Sequence, residues 1–143
     1  MVFIVSLNKT FLQDRINEII VNVEKAKEIL AADFSSLSWR DVYSLRYIII
    51  SLVEASGSIC LHILRRKYGI KPSGYGECFK KLSEVGIISK ELGEKLVKIA
   101  KLRTLLVHHY WATDDRRLYE ESKKGISDFM DFVSNIRDVI ERG

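Results

Sequence analysis

Apolar residues recur at steps of three and four between Lys9 and Ala32: Leu12, Ile16, Ile19, Ile20, Val23, Ala26 and Leu30 form one stripe. That is the buried face of an amphipathic helix, and Asp14, Arg15, Glu18, Glu24, Lys25 and Lys27 fall mostly between the stripe positions. Asp33 to Ser36 reads as a connection. Ser38, with Asp41 three residues later, has the form of a capping box, in which hydroxyl and carboxylate each satisfy the other's free backbone N–H. It predicts a second helix from Trp39 to about Lys67. From Leu45 to Leu64 this segment is apolar on more than one side. It is far longer than a typical strand of about 5–6 residues, so it reads as a helix that must be covered on several sides. It is expected to be the central helix, part of it covered by a second subunit.

Gly69, Pro72, Gly74 and Gly76 lie between Tyr68 and Gly76, the one strong cluster of helix breakers, and predict a loop. A short helix over about Glu77 to Val85 follows, ended by Gly86. Ser89 can cap a fourth helix with Glu91 in its first turn and Leu92, Leu96, Ile99, Leu102 and Leu106 as its apolar stripe. Thr113 or Asp114 restarts the chain into a last helix to about Glu141. Leu118, Ile126, Phe129, Phe132, Val133, Ile136, Val139 and Ile140 should face inward. The expected architecture is all-α: an up-and-down bundle of four long helices and one short helix, as a homodimer. With 143 residues, close to the ~150 of an average domain, a single domain over 1–143 is expected.

Composition adds limits. The apolar fraction is 47% and the charged fraction 29%, the balance of a globular chain. One proline and eight glycines are too few for a sandwich or barrel built on many tight turns. Cys60 and Cys78 have no metal-ligand spacing and fit a reduced, cytoplasmic chain. The unbroken apolar runs, Tyr47 to Ile50 in the second helix among them, are far below the ~18 residues of a membrane span, so no membrane association is expected. Met1 to Val5 is apolar without a basic leader or cleavage site, unlike a signal peptide. The net charge of +4 is uneven: Cys60 to Tyr110 holds eleven Lys/Arg and four Asp/Glu, whereas the remainder is acidic. A basic middle attracts phosphate.

Several chemistries have no footing. The sequence lacks a glycine-rich phosphate loop, a Gly-x-Ser-x-Gly elbow, His-Glu-x-x-His and Cys-x-x-Cys, and it lacks the paired Glu-x-x-His of a di-iron bundle. No metal and no cofactor are expected. What stands out is the end of the fourth helix, where Arg103, His108, His109, Tyr110 and Trp111 fall within nine residues. A guanidinium grips phosphate oxygens in a bidentate fork, and an imidazole exchanges protons near neutral pH. With a ribose 2′-hydroxyl as nucleophile, the two can break an RNA strand without metal. At about 100° per residue, Arg103 and Tyr110 nearly share a face, whereas Arg103 and His108 diverge by about 140°. Either the helix loosens near His108, or the reacting phosphate lies across a cleft that both residues flank. A two-fold dimer offers such a cleft, because the segment arrives twice.

These residues resemble the HEPN superfamily, specifically its HepT branch of toxin components from prokaryotic toxin–antitoxin pairs. The branch's signature is Arg, four residues, His, any residue, Tyr, matched by Arg103, Thr104-Leu105-Leu106-Val107, His108, His109, Tyr110. Arg46-Tyr47 with Leu52 to Ala55 resembles the family's second helix. Pro72 to Tyr75 and Leu82 to Ile88 resemble its middle loop and short helix, and Trp111 to Asp115 the segment after the motif. The likeness spans about Leu12 to Val139. One departure is Thr104, where the family usually has Asn; a hydroxyl lacks the two-donor geometry of an amide. The resemblance implies a metal-independent endoribonuclease. Arg103 would hold the scissile phosphate and His108 would act as general base or acid. The Tyr110 hydroxyl would receive AMP from a partner nucleotidyltransferase antitoxin of the MNT type, adding bulk and negative charge where the RNA must sit.

Other residues take supporting parts. Glu54, among apolar neighbours, can be buried only if paired; Arg46 and Arg103 are its candidate partners, and Glu54 is expected to orient Arg103. Arg65, Arg66, Lys67 and Lys71 are candidates for guiding RNA, as is His109, which otherwise reads as an exposed neighbour of the motif. His62 reads as a satisfied core or interface histidine. Two other functions stay open on the sequence: a non-catalytic module that docks a nucleotidyltransferase or a nucleotide through Arg103 and Tyr110, and a purely structural dimerisation bundle.

Overall fold

The computed structural model describes residues 6–142; the apolar opening Met1 to Val5, read above for a leader, lies outside them. The described chain is an up-and-down bundle of α1 (Lys9–Leu30), α2 (Trp39–Tyr68), a short α3 (Tyr75–Glu84), α4 (Lys90–His108) and α5 (Asp115–Arg142). Two 3-10 turns, Phe34–Ser36 and Tyr110–Ala112, sit in the connections. No strand occurs among the described residues. The helix starts follow local chemistry. At α2, Ser38 Oγ accepts from the Asp41 N–H while the Asp41 carboxylate accepts from the Ser38 N–H, so the expected capping box is formed. Ser89 Oγ accepts from Leu92 N at the head of α4. Asp114, one of the two expected start residues, accepts from the N–H groups of Arg116 and Arg117 and so caps α5. Gly69, at φ 67°, ends α2 in the left-handed conformation that glycine adopts without strain.

The short helix differs from expectation at its start. It begins at Tyr75 and takes Gly76 into its first turn rather than leaving both in the loop. No side chain of Gly74 is there to cap it; instead Glu77 folds back and accepts from both the N–H and the hydroxyl of Ser73. These bonds hold the Glu77 carboxyl below the usual carboxylate range.

α2 is the centre of the molecule, packed against each of the other four α-helices. Its buried residues, among them Leu45, Ile49, Leu52, Ile59 and Ile63, lie on several sides, which explains why its pattern had no single stripe. By length and composition it is the one described helix apolar enough to cross a membrane. The unbroken-run reading understated this, because Ser51, Glu54, Ser56 and Ser58 interrupt the run without making the segment polar. Of its most apolar stretch, 61% is buried inside the bundle, so the core accounts for most of that apolarity. The stripes of α1, α4 and α5 close over α2 as their spacing requires: Leu12, Ile16, Val23, Leu96, Leu102, Phe129, Phe132 and Ile136 are all buried. Cys60 and Cys78 are free and buried, and burial pushes the Cys60 thiol up.

His62, on the side of α2 facing α1, is half-buried. Its Nε2 accepts from the Asn8 N–H at 3.0 Å, and its ring stacks on Phe11. Burial, then the charge of Arg66, lowers its pKa. An imidazole whose folded pKa lies below its unfolded one leaves the folded state with fewer protons than the unfolded state. Stability then falls as pH drops through the unfolded value near ~6.5. Denaturant midpoints measured across pH 7.5 to 5.5 are expected to decline for the wild-type chain and to decline less for His62→Gln; equal slopes would contradict this role.

Candidate active site

Two links fasten the segment from α4 to the start of α5 against α2. Arg103 Nη2 donates to Glu54 Oε1 at 3.2 Å, so of the two candidate partners for Glu54 it is Arg103 that pairs with it. Eight residues earlier on α2, Arg46 takes a different partner. Its Nε donates to Asp115 Oδ1 at 3.1 Å, its Nη2 makes a further close contact there, and Nη1 reaches the Tyr110 carbonyl at 3.5 Å. The segment from Arg103 to Asp115 is thus fastened to α2 at both ends, antiparallel to it. Asp115 was not singled out by its sequence position, which reads as the first turn of a helix.

Arg103 is held from a second side. Its guanidinium carbon lies 5.2 Å from the centre of the Tyr75 ring, within reach of the attraction between a cation and an aromatic face. The ring can lie there because Gly57 of α2 has no side chain: a Cβ at Gly57 would stand 2.2 Å from Tyr75 Cδ1. Glu54 and Gly57 are three residues apart, about one helical turn, so one face of α2 carries both the carboxylate and the gap. Arg103 is 21% exposed and Glu54 45%, and Arg103 Nε is buried without a partner among the described residues. The head group is fixed through Nη2, the one guanidinium nitrogen with a hydrogen bond among the described residues. Gly57 and Tyr75 were not read as site residues. The only signal was a glycine inside an apolar helix, which points to a close approach.

α4 stays helical through His108, so the helix does not loosen before that residue. The break comes one residue later, at His109 (φ −137°, ψ 39°), whose N–H donates to the Leu105 carbonyl. Arg103 and His108 therefore point about 140° apart, and within one chain they do not share a pocket. His108 is exposed at the helix end. Tyr110 lies beyond the helix, in the 3-10 turn, rather than on the face of Arg103 as a continuous helix would place it; its ring is exposed and meets Trp111 edge-on. His109 is exposed against Trp111. The Thr104 hydroxyl donates to the Ala100 carbonyl of its own helix at 3.1 Å and holds nothing else in place.

Arg103, Thr104 and Arg65 line an open cleft of about 410 Å³, bounded by α2, the loop before α3 with the first residues of α3, and α4. The other basic candidates lie elsewhere. Arg66 donates to the Ser6 carbonyl, Lys67 lines a separate hollow near the end of α5, and Lys71 is exposed outside the cleft. Among the described residues no three His, Cys, Asp or Glu side chains converge as a metal site. Trp39, Tyr43, Tyr47, Val107, Tyr110 and Trp111 are exposed, Tyr47 at 70% and Trp111 at 71%. The Arg46 guanidinium, 5.3 Å from the Tyr43 ring and bonded to the Tyr110 carbonyl, joins the exposed aromatic residues of α2 to those of the 110–112 turn.

Residues 16–136 match the family described as ribonuclease HepT-like, and the chain belongs to that family. It is 26% identical over 102 residues to a candidate RNase of Archaeoglobus fulgidus, covering 71% of this chain and 76% of that one. Its fold is similar to that of the tri-AMPylated Shewanella oneidensis HEPN toxin in complex with MNT antitoxin (TM-score 0.81, 20% identity, 90% of this chain and 97% of that one). It is similar also to the cytosolic protein YutE of Bacillus subtilis (TM-score 0.76, 20% identity, 91% of each chain).

The Gly57 gap makes a direct prediction. Gly57→Ala drives a methyl group into the Tyr75 ring and is expected to cost about 1–3 kcal/mol, the usual range for overpacking, read as a lower denaturant midpoint. A variant as stable as wild type would show that Tyr75 is not held there.

Proposed function

We propose that this chain is a metal-independent endoribonuclease toxin, active as a cytoplasmic homodimer and silenced by a nucleotidyltransferase antitoxin of the MNT type. The observation that carries the reading is the arrangement around Arg103. A guanidinium fixed by Glu54 and Tyr75 lines an open cleft, while His108 stands exposed five residues further on. Family membership and the likeness to toxins bound to MNT antitoxin support it.

The divergence of Arg103 and His108 on one helix favours a site assembled from two copies. A two-fold axis beside α4 presents the segment twice. The exposed aromatic residues of α2 and of the 110–112 turn form a surface suited to such a contact. In the proposed reaction Arg103 binds the non-bridging oxygens of the scissile phosphate. One His108 accepts the proton of the 2′-hydroxyl, whose oxygen attacks phosphorus. The bond from phosphorus to the 5′-oxygen breaks, and a protonated His108 gives that oxygen its proton. The products are a 2′,3′-cyclic phosphate and a 5′-hydroxyl. Transfer of AMP to the exposed Tyr110 hydroxyl would place bulk and negative charge in the RNA path.

Single-stranded RNA incubated with the chain in EDTA is expected to be cut, leaving cyclic phosphate ends. Arg103→Ala and His108→Ala are each expected to slow cleavage by roughly 100-fold or more, the scale of a lost acid–base group, with helicity retained. Tyr110→Phe is expected to cleave but to take up no AMP from the antitoxin. Equal cleavage by wild type and His108→Ala would overturn the catalytic reading. A chain that cuts nothing yet binds the antitoxin tightly would establish the binding-module function instead.

A further inference from the structure

The cleft beside Arg103 has a chemistry of its own. On α4 it is lined by Val97, Ala100, Lys101 and Thr104, spaced so that they share one helix face. α2 contributes Leu61 and Arg65, one turn apart. Three cations, Arg65, Lys101 and Arg103, line it, and no carboxylate does. Glu77, the acid nearest in sequence, is turned back onto Ser73 by two hydrogen bonds, which together with the fixed φ of Pro72 set the loop wall in advance. Gly74 and Gly76 leave open space where a Cβ would stand, so a ligand can come close to the backbone at the start of α3. At about 410 Å³ the cleft lies within the range of roughly 300–1,000 Å³ usual for small-ligand sites. The one aromatic ring in it, that of Tyr75, is closed off by Gly57 on one side and by the Arg103 guanidinium on another, which leaves little face for a base to stack on.

We propose that this cleft seats a phosphodiester of the RNA strand next to the linkage held by Arg103, with Arg65 and Lys101 as its ligands. The proposal rests on RNA being the substrate. Arg103 belongs to both places: it ties to Glu54 on one side and lines the cleft on the other. A strand crossing Arg103 therefore runs on into a basic trough. With cations and a closed-off ring, the cleft reads backbone rather than base edges, so it contributes affinity and register without sequence preference.

The test measures binding of a fluorescently labelled single-stranded RNA to the His108→Ala chain over a range of salt concentrations. Adding Arg65→Gln and Lys101→Gln together is expected to weaken binding about tenfold or more. The slope of log affinity against log salt should become shallower by about 0.7, the contribution of one neutralised phosphate on a single strand. The loss should be the same for RNAs of different sequence. Lys98→Gln with Lys124→Gln, two exposed cations outside the cleft, controls for net charge and should change the slope less. Circular dichroism verifies that each variant folds. If the double cleft variant keeps the parent's affinity and slope, the subsite is refuted even where the wild-type chain cleaves RNA. If the parent binds RNA and the slope responds as stated but the wild-type chain cuts nothing, the subsite stands and the catalytic reading alone fails. If neither binding nor cleavage is detected, both fall.

Discussion

The Arg103 guanidinium is a charged group at the edge of an apolar bundle, and it is held from two directions. Glu54 supplies the opposite charge, and Tyr75 supplies a ring face made accessible by the missing side chain of Gly57. An arginine side chain has roughly 2 kcal/mol of rotamer freedom to lose, and a group that must meet phosphate charge as it develops works best when that ordering is already complete. The pairing also ties three helices at one point: Glu54 and Gly57 on α2, Tyr75 at the head of α3, and Arg103 on α4. The Arg46 contacts with Asp115 and the Tyr110 carbonyl fasten the other end of the same segment. The stretch from Arg103 to Asp115 thus lies along α2 as a strap pinned twice, with His108 and Tyr110 exposed between the pins.

That geometry also states what one chain lacks. A regular helix through His108 separates its imidazole from the Arg103 guanidinium by about 140°, and the break at His109 comes too late to turn them together. The proposed catalytic pair therefore depends on a second copy. Trp39, Tyr43, Tyr47, Tyr110 and Trp111 are exposed and would offer apolar area to such a contact. On this account dimer formation and assembly of the catalytic site are a single event, and AMP on Tyr110 would act at the same place.

Much of the architecture was legible because long helices announce themselves by period and by caps. The stripes of α1, α4 and α5, the Ser38–Asp41 box and the glycine stop of α2 all follow from short-range rules. The start of α3 did not, because Gly74 and Gly76 read as breakers, whereas the Glu77–Ser73 bonds replace the missing cap. The membrane-like apolarity of α2 was understated for a related reason: counting unbroken runs ignores how little a lone serine changes the character of a helix. At the candidate site, the residues that carry charge were visible and the ones that shape it were not. Arg103, His108, Tyr110 and Glu54 stand out by type. Gly57, Tyr75 and Asp115 matter through contacts between segments far apart in the chain. Arg46 illustrates the limit: its charge marked it as a partner for Glu54, and tertiary placement gave it Asp115.

The central claim is that Glu54 holds Arg103 ready for phosphate. Its most direct measurement is the kcat and KM of RNA cleavage by Glu54→Gln, a change that keeps shape and removes charge. The account predicts a fall in kcat of roughly tenfold, the scale of a charged hydrogen bond of about 1.5 kcal/mol, with the dimer and the helical content intact. Cleavage at the wild-type rate would contradict it.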